Sequence, residues 1–214
     1  MNVIANVIEQ FDRWLILTIN GGHTPFLDNL MWMVSQTIPW LPFYGTVIVM
    51  LALCYRKQFW RVFFLFFLLV AFADIFSSGV IKPLIARPRP THEPTLEGLL
   101  RMFPKPGGGY YYGGMYGYLS SHAANTTSIA LLFSHFMRPF IKRRKLLNAF
   151  LIGYVAIVCY SRMYVGAHYP TDVLSGILFA IAICLPFISN KKVVLQPYLN
   201  INFVNNKNHY VKIF

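Results

Sequence analysis

The stretch Val62–Ile81 reads VFFLFFLLVAFADIFSSGVI, twenty residues of which Asp74 alone is charged. A run of about 20 apolar residues is long enough to cross the hydrocarbon of a bilayer as a helix. A helix is required there because every backbone N–H and C=O group must find its partner within the segment. The stretch therefore predicts a membrane-spanning helix, and it sets the fold class for the rest of the chain.

Four further apolar stretches approach the same length: Pro39–Tyr55, Ser120–Met137, Leu146–Ser161 and Val173–Asn190. Together with the first, they predict an all-α, polytopic membrane bundle of about five or six transmembrane helices. We expect residues 39–190 to form this transmembrane domain. Residues 191–214 are polar and rich in asparagine, which is typical of a cytoplasmic tail.

The N-terminal region, residues 1–38, shows two shorter apolar stripes that are interrupted at Asn20-Gly21-Gly22. Helical spacing of apolar residues with polar residues between them is typical of amphipathic helices that lie in a membrane interface. A sixth crossing in this region is the alternative. The stripes consist of Ile4, Val7, Ile8, Phe11, Leu15 and Leu17, and then of Phe26, Leu27, Leu30, Met31 and Val34.

The composition supports a membrane protein with an anionic ligand. Apolar residues make up 56% of the chain and charged residues 12%, whereas a soluble domain carries about 25% charged residues. The net charge is +12, and the cations alternate with apolar runs, which argues against a nucleic-acid partner. The cysteines Cys54, Cys159 and Cys184 lie inside apolar runs, so we expect buried thiols and no disulfide or metal cluster.

The distribution of Lys and Arg predicts the orientation. Twelve of them fall on the side that contains the loops after Tyr55, after Met137 and after Asn190, and six fall between the spans on the other side. The positive-inside rule places the first side in the cytoplasm. The sequence therefore predicts an integral membrane protein whose opposite side faces away from the cytoplasm.

Three short patterns lie together on that opposite side. They read K-x6-R-P (Lys82, Arg89-Pro90), S-S-H (Ser120-Ser121-His122) and S-R-x5-H-x3-D (Ser161-Arg162, His168, Asp172). Lysine and arginine at helix ends can simply extend to the interface, and serine before a helix can simply cap it. Three cations beside two histidines favour a site for a phosphate group, and the helix start at Ser120-Ser121 would suit the same anion.

The histidines suggest the chemistry. A carboxylate at Asp172 can hold His168 in one tautomer, so that the other ring nitrogen attacks phosphorus. His122 would then protonate the leaving oxygen. Because the two rings need opposite protonation states, we expect a bell-shaped dependence of the rate on pH. Since no metal-ligating cluster is visible, we expect no metal, no cofactor and full activity in the presence of chelators.

The three patterns, in this order at span ends, resemble the type 2 phosphatidic acid phosphatase (PAP2) and haloperoxidase superfamily over roughly Val62–Leu185. The family usually has P-S-G-H as its second motif, whereas this chain reads Leu119-Ser120-Ser121-His122. The resemblance implies a helical bundle, metal independence and a phosphohistidine at His168, with Asp172 as its partner and His122 as the proton donor. It implies that the phosphate is held by Lys82, Arg89, Ser120, Ser121 and Arg162.

The resemblance implies a bacterial lipid phosphatase that is integral to the inner membrane, with its site facing the periplasm or the exterior. The candidate substrates are undecaprenyl diphosphate, a lipid A phosphate, phosphatidylglycerol phosphate and phosphatidate. The residues before Pro39 loosely resemble bacterial undecaprenyl-diphosphate phosphatases. One alternative is a phosphotransferase that passes the phosphate to another lipid, and the other is a lipid-binding or transport protein without catalysis. The oligomeric state is left open.

Three features outside the motifs keep two interpretations each. Asp74 is either functional or hydrogen-bonded to a neighbouring helix. The Gly- and Tyr-rich segment 107–118 is either a lid or chain guide, or an interfacial tyrosine belt. Arg87 either assists with a diphosphate or is solvated.

Overall fold

The structure is a computed structural model and describes residues 3–189, so the predicted cytoplasmic tail lies outside the described residues. Two strands of two residues each, β1 (Phe103–Pro104) and β2 (Tyr110–Tyr111), form one small antiparallel hairpin. The all-α prediction is confirmed. The helices are α1 (Val3–Gly21), α2 (Pro25–Ser35), α3 (Leu41–Tyr55), α4 (Phe59–Phe76), α5 (Lys82–Ile85), α6 (Ser121–Met137), α7 (Arg144–Tyr164) and α8 (Pro170–Ser189).

Each predicted apolar stretch contains a helix of this bundle. Three helical stretches are long and apolar enough to cross a membrane: Ile38–Ile85, Arg144–Tyr164 and Pro170–Ser189. The first of them includes both α3 and α4, which are joined by a tight turn at Arg56–Gln58. The outward faces of α3 and α4 expose large apolar side chains, as expected of helices that face lipid; these include Leu53, Trp60, Phe64, Phe67 and Ile75.

Helix α6 is the centre of the bundle and packs against α4, α7 and α8. It has 17 residues, and most of them are buried although many are small or polar. Small and hydroxyl-bearing residues allow membrane helices to approach closely and to bond to one another. The largest apolar cluster lies between α6 and its neighbours and includes Leu51, Tyr55, Leu69, Phe133 and Leu151.

Helices α6 and α8 touch backbone to backbone near their first turns. A Cβ atom added at Gly176 would lie 2.5 Å from the carbonyl oxygen of Ser120 and 3.0 Å from the Cβ of Ala123. The Ser120 N–H also donates to the Asp172 carbonyl at 3.0 Å. The start of α6, with the second motif, is therefore fixed against the start of α8, with the end of the third.

The N-terminal helices begin and end near the predicted positions. Thr24 caps α2, since its hydroxyl accepts from the Leu27 N–H at 3.2 Å, and Pro25 occupies the first turn, where its missing N–H costs nothing. Helix α2 packs on α7, and α1 packs on α7 and α8.

The buried face of α1 differs from that of an ordinary amphipathic helix. The apolar stripe is largely exposed, with Ile4, Val7 and Phe11 about half or more accessible, and the buried residues are Asp12, Ile16 and Asn20. The apolar stripe is thus available to lipid, while a partly polar face contacts the protein. The Asn20 side chain donates to the Arg101 and Tyr164 carbonyls at 3.1 and 3.0 Å, which satisfies its burial.

The connection from α5 to α6 is more ordered than the predicted loop. It turns at Ala86, whose φ of 50° lies in the left-handed region. The next residues then run beside the end of the connection, because the Arg89 N–H donates to the Met115 carbonyl at 3.0 Å and the Gly117 N–H to the Arg87 carbonyl at 2.9 Å. The first motif is thereby held next to the residues that lead into the second.

Candidate active site

Lys82 lies at the start of α5, directly after a π-helical segment, Ser77–Ile81, that continues α4. Its Nζ donates to Ser121 Oγ at 2.8 Å. The hydroxyls of Ser77 and Ser78 also lie 2.9 and 3.0 Å from Ser121 Oγ. Ser121, which stands where the resembled family has glycine, is therefore hydrogen-bonded by the hydroxyls of Ser77 and Ser78 in the π-helical segment and by Lys82.

Arg89 is largely buried, and the backbone orients its guanidinium. Its Nε donates to the Tyr116 carbonyl at 3.1 Å, and its Nη1 lies 3.5 Å from the Ala167 carbonyl. Gly113, with a φ of 68°, passes so close that an added Cβ would be 2.8 Å from Arg89 Nη1. Glycine is required there both for the left-handed backbone and for the approach of the arginine.

The second motif begins α6 as predicted. Ser120 is fully buried and caps the helix, since its hydroxyl accepts from the Ala123 N–H at 3.4 Å. The described contacts of Ser120 Oγ are those of a capping residue, and its predicted phosphate contact stays a prediction. His122, in the first turn of α6, faces the same region as the three predicted phosphate-binding cations, Lys82, Arg89 and Arg162.

The third motif spans the turn between α7 and α8. Arg162 lies in the last turn of α7 and is 4% exposed. The helix ends at Tyr164, and Gly166 follows with a φ of 73°, the left-handed conformation that glycine adopts without cost after a helix. The Ala167 N–H then bonds back to the Arg162 carbonyl at 2.9 Å. This turn brings His168, which is 1% exposed, to the level of the arginine.

Asp172 lies in the first turn of α8, four residues after His168, and is fully buried. The His168 Nδ1 and Asp172 Oδ2 atoms are 3.8 Å apart, which is longer than a hydrogen bond. Asp172 Oδ2 accepts from the Tyr169 N–H at 2.9 Å, and Asp172 Oδ1 accepts from Arg87 Nη1 at 2.8 Å. The carboxylate is therefore fixed by two other donors, beside the histidine it is predicted to orient.

The electrostatic environment keeps His168 neutral. Burial lowers the pKa of His168 well below its usual range, and the charges of Arg89, Arg162 and Lys82 lower it further. A neutral imidazole has a free lone pair, which is the form that a nucleophile needs. A bound phosphate would partly offset the same three positive charges.

Two residues that sequence reasoning did not select, Tyr111 and Ser35, bind Arg162. Arg162 Nη2 donates to the Tyr111 hydroxyl at 2.9 Å, and Nη1 donates to the Ser35 hydroxyl at the end of α2. Burial alone would raise the pKa of Tyr111, but the positive charges of Arg162 and Arg89 outweigh it and lower the pKa. Tyr111 thus places a polarised oxygen against two of the predicted phosphate-binding cations.

The hairpin that carries Tyr111 presents its neighbours to the other side, because successive side chains of a strand alternate. Tyr110 and Tyr112 line an open cavity of about 480 Å³ together with Arg101, Met102 and Pro104. This cavity contains none of the motif residues. Tyr111 of the segment 107–118 therefore contacts the candidate site, and both interpretations of the segment, a lid or chain guide and a tyrosine belt, stay predictions.

Two buried donors of the site have no hydrogen-bond partner within the described residues: Arg162 Nε and His168 Nδ1. A buried unpaired donor is costly, and an anionic oxygen is the acceptor that best satisfies an arginine. Within residues 3–189, no group of three or more His, Cys, Asp or Glu side chains could hold a metal ion.

The remaining sequence candidates have other surroundings. Asn125 Nδ2 donates to Asp74 Oδ1 at 2.8 Å, which fits the interpretation of Asp74 as an interhelical hydrogen-bond partner. Arg87 bonds to Asp172 and to Asp12, and neither sequence interpretation of Arg87 anticipated these contacts. Cys159 and Cys184 are buried free thiols, and Cys54 is a partly buried one.

Comparison with known proteins identifies the family. The family model described as the PAP2 superfamily matches residues 62–193, which is more than half of the chain and includes all three motifs. The chain belongs to the PAP2 superfamily. The resemblance that the three motifs predicted is confirmed. The matched range, 62–193, agrees closely with the expected range, Val62–Leu185.

Two similar proteins are described as lipid A 4'-phosphatases. That of Porphyromonas gingivalis is 33% identical over 173 residues, which cover 79% of this chain and 68% of the relative. That of Bacteroides thetaiotaomicron is 27% identical over 175 residues, covering 79% and 72%. Phosphatidylglycerophosphatase B of Bacillus subtilis is 29% identical over 128 residues, covering 58% and 55%.

A solved structure shares the fold. The transmembrane PAP2-type phosphatidylglycerolphosphate phosphatase of Bacillus subtilis superposes with a TM-score of 0.62 at 18% identity, covering 97% of this chain and 90% of that one. Because the likeness extends over nearly the whole length, it includes the three helices α1, α2 and α3, which precede the matched PAP2 region. At this identity it supports the fold alone.

Proposed function

We propose that this PAP2 protein is a membrane lipid phosphatase that removes a phosphate from a lipid phosphomonoester or diphosphate through a phosphohistidine on His168. The observation that carries the proposal is the meeting of three helix starts and one helix end in one buried region. There Lys82 bonds to Ser121, and Arg89 and Arg162 both contact Ala167, the residue before His168. Burial and the charges of Arg89, Arg162 and Lys82 lower the pKa of His168. Catalysis of phosphoryl transfer consists mainly of positioning and of stabilising charge on the equatorial oxygens.

The reaction has two steps. His168 Nε2, the ring nitrogen away from Asp172, attacks phosphorus while the bond to the lipid oxygen breaks and His122 gives that oxygen a proton. In the second step, water attacks the phosphohistidine, His122 accepts the proton of that water, and inorganic phosphate leaves. The three cations bind the transferring oxygens throughout and supply the positive charge, so the proposal includes no metal or cofactor.

The first substrate to test is a lipid A 4'-phosphate, because the relatives with that description cover most of this chain. The other candidates are undecaprenyl diphosphate, phosphatidylglycerol phosphate and phosphatidate. Lys and Arg counts favour a reaction at the periplasmic face of the inner membrane. The headgroup would reach the cations at that surface while the chains remain among the exposed apolar residues of α3 and α4.

The proposal is tested by measuring phosphate release from a panel of these four lipids by the purified protein in detergent. We expect at least one lipid to be hydrolysed at a rate well above that of a buffer control. Release from none of them would overturn the proposal. Transfer of labelled phosphate to a second lipid, without free phosphate, would favour the phosphotransferase instead.

The pH–rate profile should be bell-shaped. His168 must be neutral to attack, and the positive charges of Lys82, Arg89 and Arg162 keep its pKa low, so the acid limb should lie below pH about 6.5. The alkaline limb should report loss of the proton from His122 in the complex. A profile of kcat that is flat from pH 5 to 9 would contradict the assigned roles.

Chelators should leave the activity intact, because Lys82, Arg89 and Arg162 provide the charge that a metal ion provides elsewhere. We expect the same kcat/KM before and after dialysis against EDTA. Inhibition by EDTA that magnesium or zinc reverses would contradict the metal-free mechanism. Dialysis against a buffer without EDTA is the control.

A further inference from the structure

A polar cluster at the back of the candidate site joins α1 to the third motif. Two carboxylates, Asp12 and Asp172, are both fully buried and share the guanidinium of Arg87. Arg87 Nη2 lies 2.7 Å from Asp12 Oδ2, and Nη1 lies 2.8 Å from Asp172 Oδ1. We call these three residues the carboxylate bridge. Asp12 lies outside residues 62–193, which the family match covers.

Asp12 also holds the first turn of α8. The Thr171 N–H donates to Asp12 Oδ1 at 3.0 Å, and the Thr171 hydroxyl donates to Asp12 Oδ2. An acidic side chain that accepts from free N–H groups at a helix start stabilises that start. Since Asp172 follows directly, Asp12 fixes the backbone from which the partner of His168 projects.

The net charge of the carboxylate bridge determines the electrostatic field at the His168 ring. Arg87 alone would balance the charge of Asp172, and the resulting pair exerts a weaker field on the His168 ring than the carboxylate would alone. With Asp12 included, the bridge carries two negative charges and one positive charge. The remaining negative charge favours an imidazolium or a phosphorylated, positively charged ring at His168. Asp12 thus restores the charge that Arg87 would otherwise cancel.

The ring of Tyr169 closes the cluster on one side, with the Arg87 guanidinium 4.2 Å from its centroid. This cation–π contact gives the guanidinium a third partner; the Arg87 side chain is 26% exposed, whereas both carboxylates are fully buried. The bridge is therefore a fixed unit, and its atoms keep their distances to the loop that carries His168.

We propose that Asp12 and Arg87 are positioning residues for the phosphate transfer, which act on His168 through Asp172. The proposal rests on the proposed function. It extends the site to α1, a helix whose other face is apolar and exposed, and it gives Arg87 a role distinct from contact with a diphosphate.

The test compares Asp12→Asn with the double variant Asp12→Asn/Arg87→Gln. Asp12→Asn leaves a neutral Arg87–Asp172 pair, so we expect kcat to fall about 10- to 100-fold with KM within twofold. The double variant removes one negative and one positive charge, so Asp172 is the only charged residue left in the bridge. The net charge beside His168 is then the same as in the wild type. We expect it to regain at least five times the kcat of Asp12→Asn.

A purely structural tether predicts the opposite order, because the double variant has lost more contacts. Asn20→Ala is the matched control, since it removes a buried polar anchor of α1 that does not contact the bridge. We expect Asn20→Ala to lower the thermal midpoint without a change in kcat below it. A double variant no more active than Asp12→Asn, or an equal loss of kcat in Asn20→Ala, would overturn the inference.

A second measurement does not depend on turnover. The 15N shifts of histidine-labelled protein, with His168 assigned by its absence in His168→Asn, report the titration of its ring. We expect Asp12→Asn to lower the pKa of His168 by about one unit and the double variant to restore it. An unchanged pKa would overturn the inference. The charged or titratable groups that face His168 and stay constant across these variants are Lys82, Arg89, His122, Arg162 and Asp172.

The two proposals fail separately. If the wild-type protein released phosphate from no lipid of the panel, the proposed function would be wrong, and the titration of His168 would still decide the role of the bridge. If the wild type were active and Asp12→Asn retained its full kcat, the inference about Asp12 would be wrong and the proposed function would stand.

Discussion

Replacing His168 with asparagine should reduce phosphate release by roughly four orders of magnitude or more. The loss of a nucleophile removes the covalent route, and what remains is binding and charge stabilisation by the other groups. Asparagine fits the buried position and keeps a polar side chain, so the fold should be retained. Release is measured from the best lipid of the panel under single-turnover conditions.

The intermediate provides a direct check of the same prediction. A phosphohistidine is labile in acid and stable in base, so wild-type protein quenched in base should carry label from a phosphate-labelled lipid. His168→Asn should carry none. His23→Asn is the matched control, because His23 is exposed in the turn between α1 and α2 and should retain activity within about twofold. Phosphate release that survives in His168→Asn would exclude the mechanism.

Replacing Arg162 with glutamine should lower kcat/KM by roughly three orders of magnitude. An arginine that stabilises a transferring phosphoryl group is worth about 10³ to 10⁵ in rate. Arg162 is almost fully buried, and its Nε has no partner in the described part of the chain, so it can donate to a phosphate oxygen. Arg162→Lys keeps the charge but loses the planar guanidinium. Its kcat/KM should therefore lie between those of the wild type and of Arg162→Gln.

The control for this prediction is Arg61→Gln, the same change at an exposed arginine near the start of α4. It should leave kcat/KM within about twofold. Thermal unfolding in detergent checks each variant, because Arg162 also bonds to Ser35 and Tyr111. A fully folded Arg162→Gln with wild-type kcat/KM would show that Arg162 does not bind the phosphate.

The sequence predicts the helices because the bilayer allows few solutions. Long apolar runs such as Val62–Ile81 must be helical, and the three motifs lie at the ends of such runs. Their placement on one side follows from the charges of the loops and the number of spans. The structure packs the starts of α6 and α8 against each other and bonds Lys82 to Ser121, while the roles of Lys82, His122 and His168 stay predictions.

Residues outside the motifs could not be selected in this way. Tyr111 lies between two other tyrosines, and nothing in the sequence indicates which of the three faces Arg162. Asp12 reads as part of the polar face of an interfacial helix, and only the docking of α1 on α8 shows that this face is buried. The signal that could have suggested Asp12 is a carboxylate that directly follows Phe11 of the apolar stripe.

The contact at Gly176 has a consequence for how such proteins diversify. Because α6 and α8 meet through their backbones, the spacing between His122 and the His168–Asp172 pair is set by main-chain atoms and not by the size of interlocking side chains. The outer, lipid-facing surfaces of α3 and α4 contribute nothing to that spacing. Evolution can therefore reshape the surface that recognises a lipid tail while the reacting groups keep their separation, so one chemical centre can serve many different lipids.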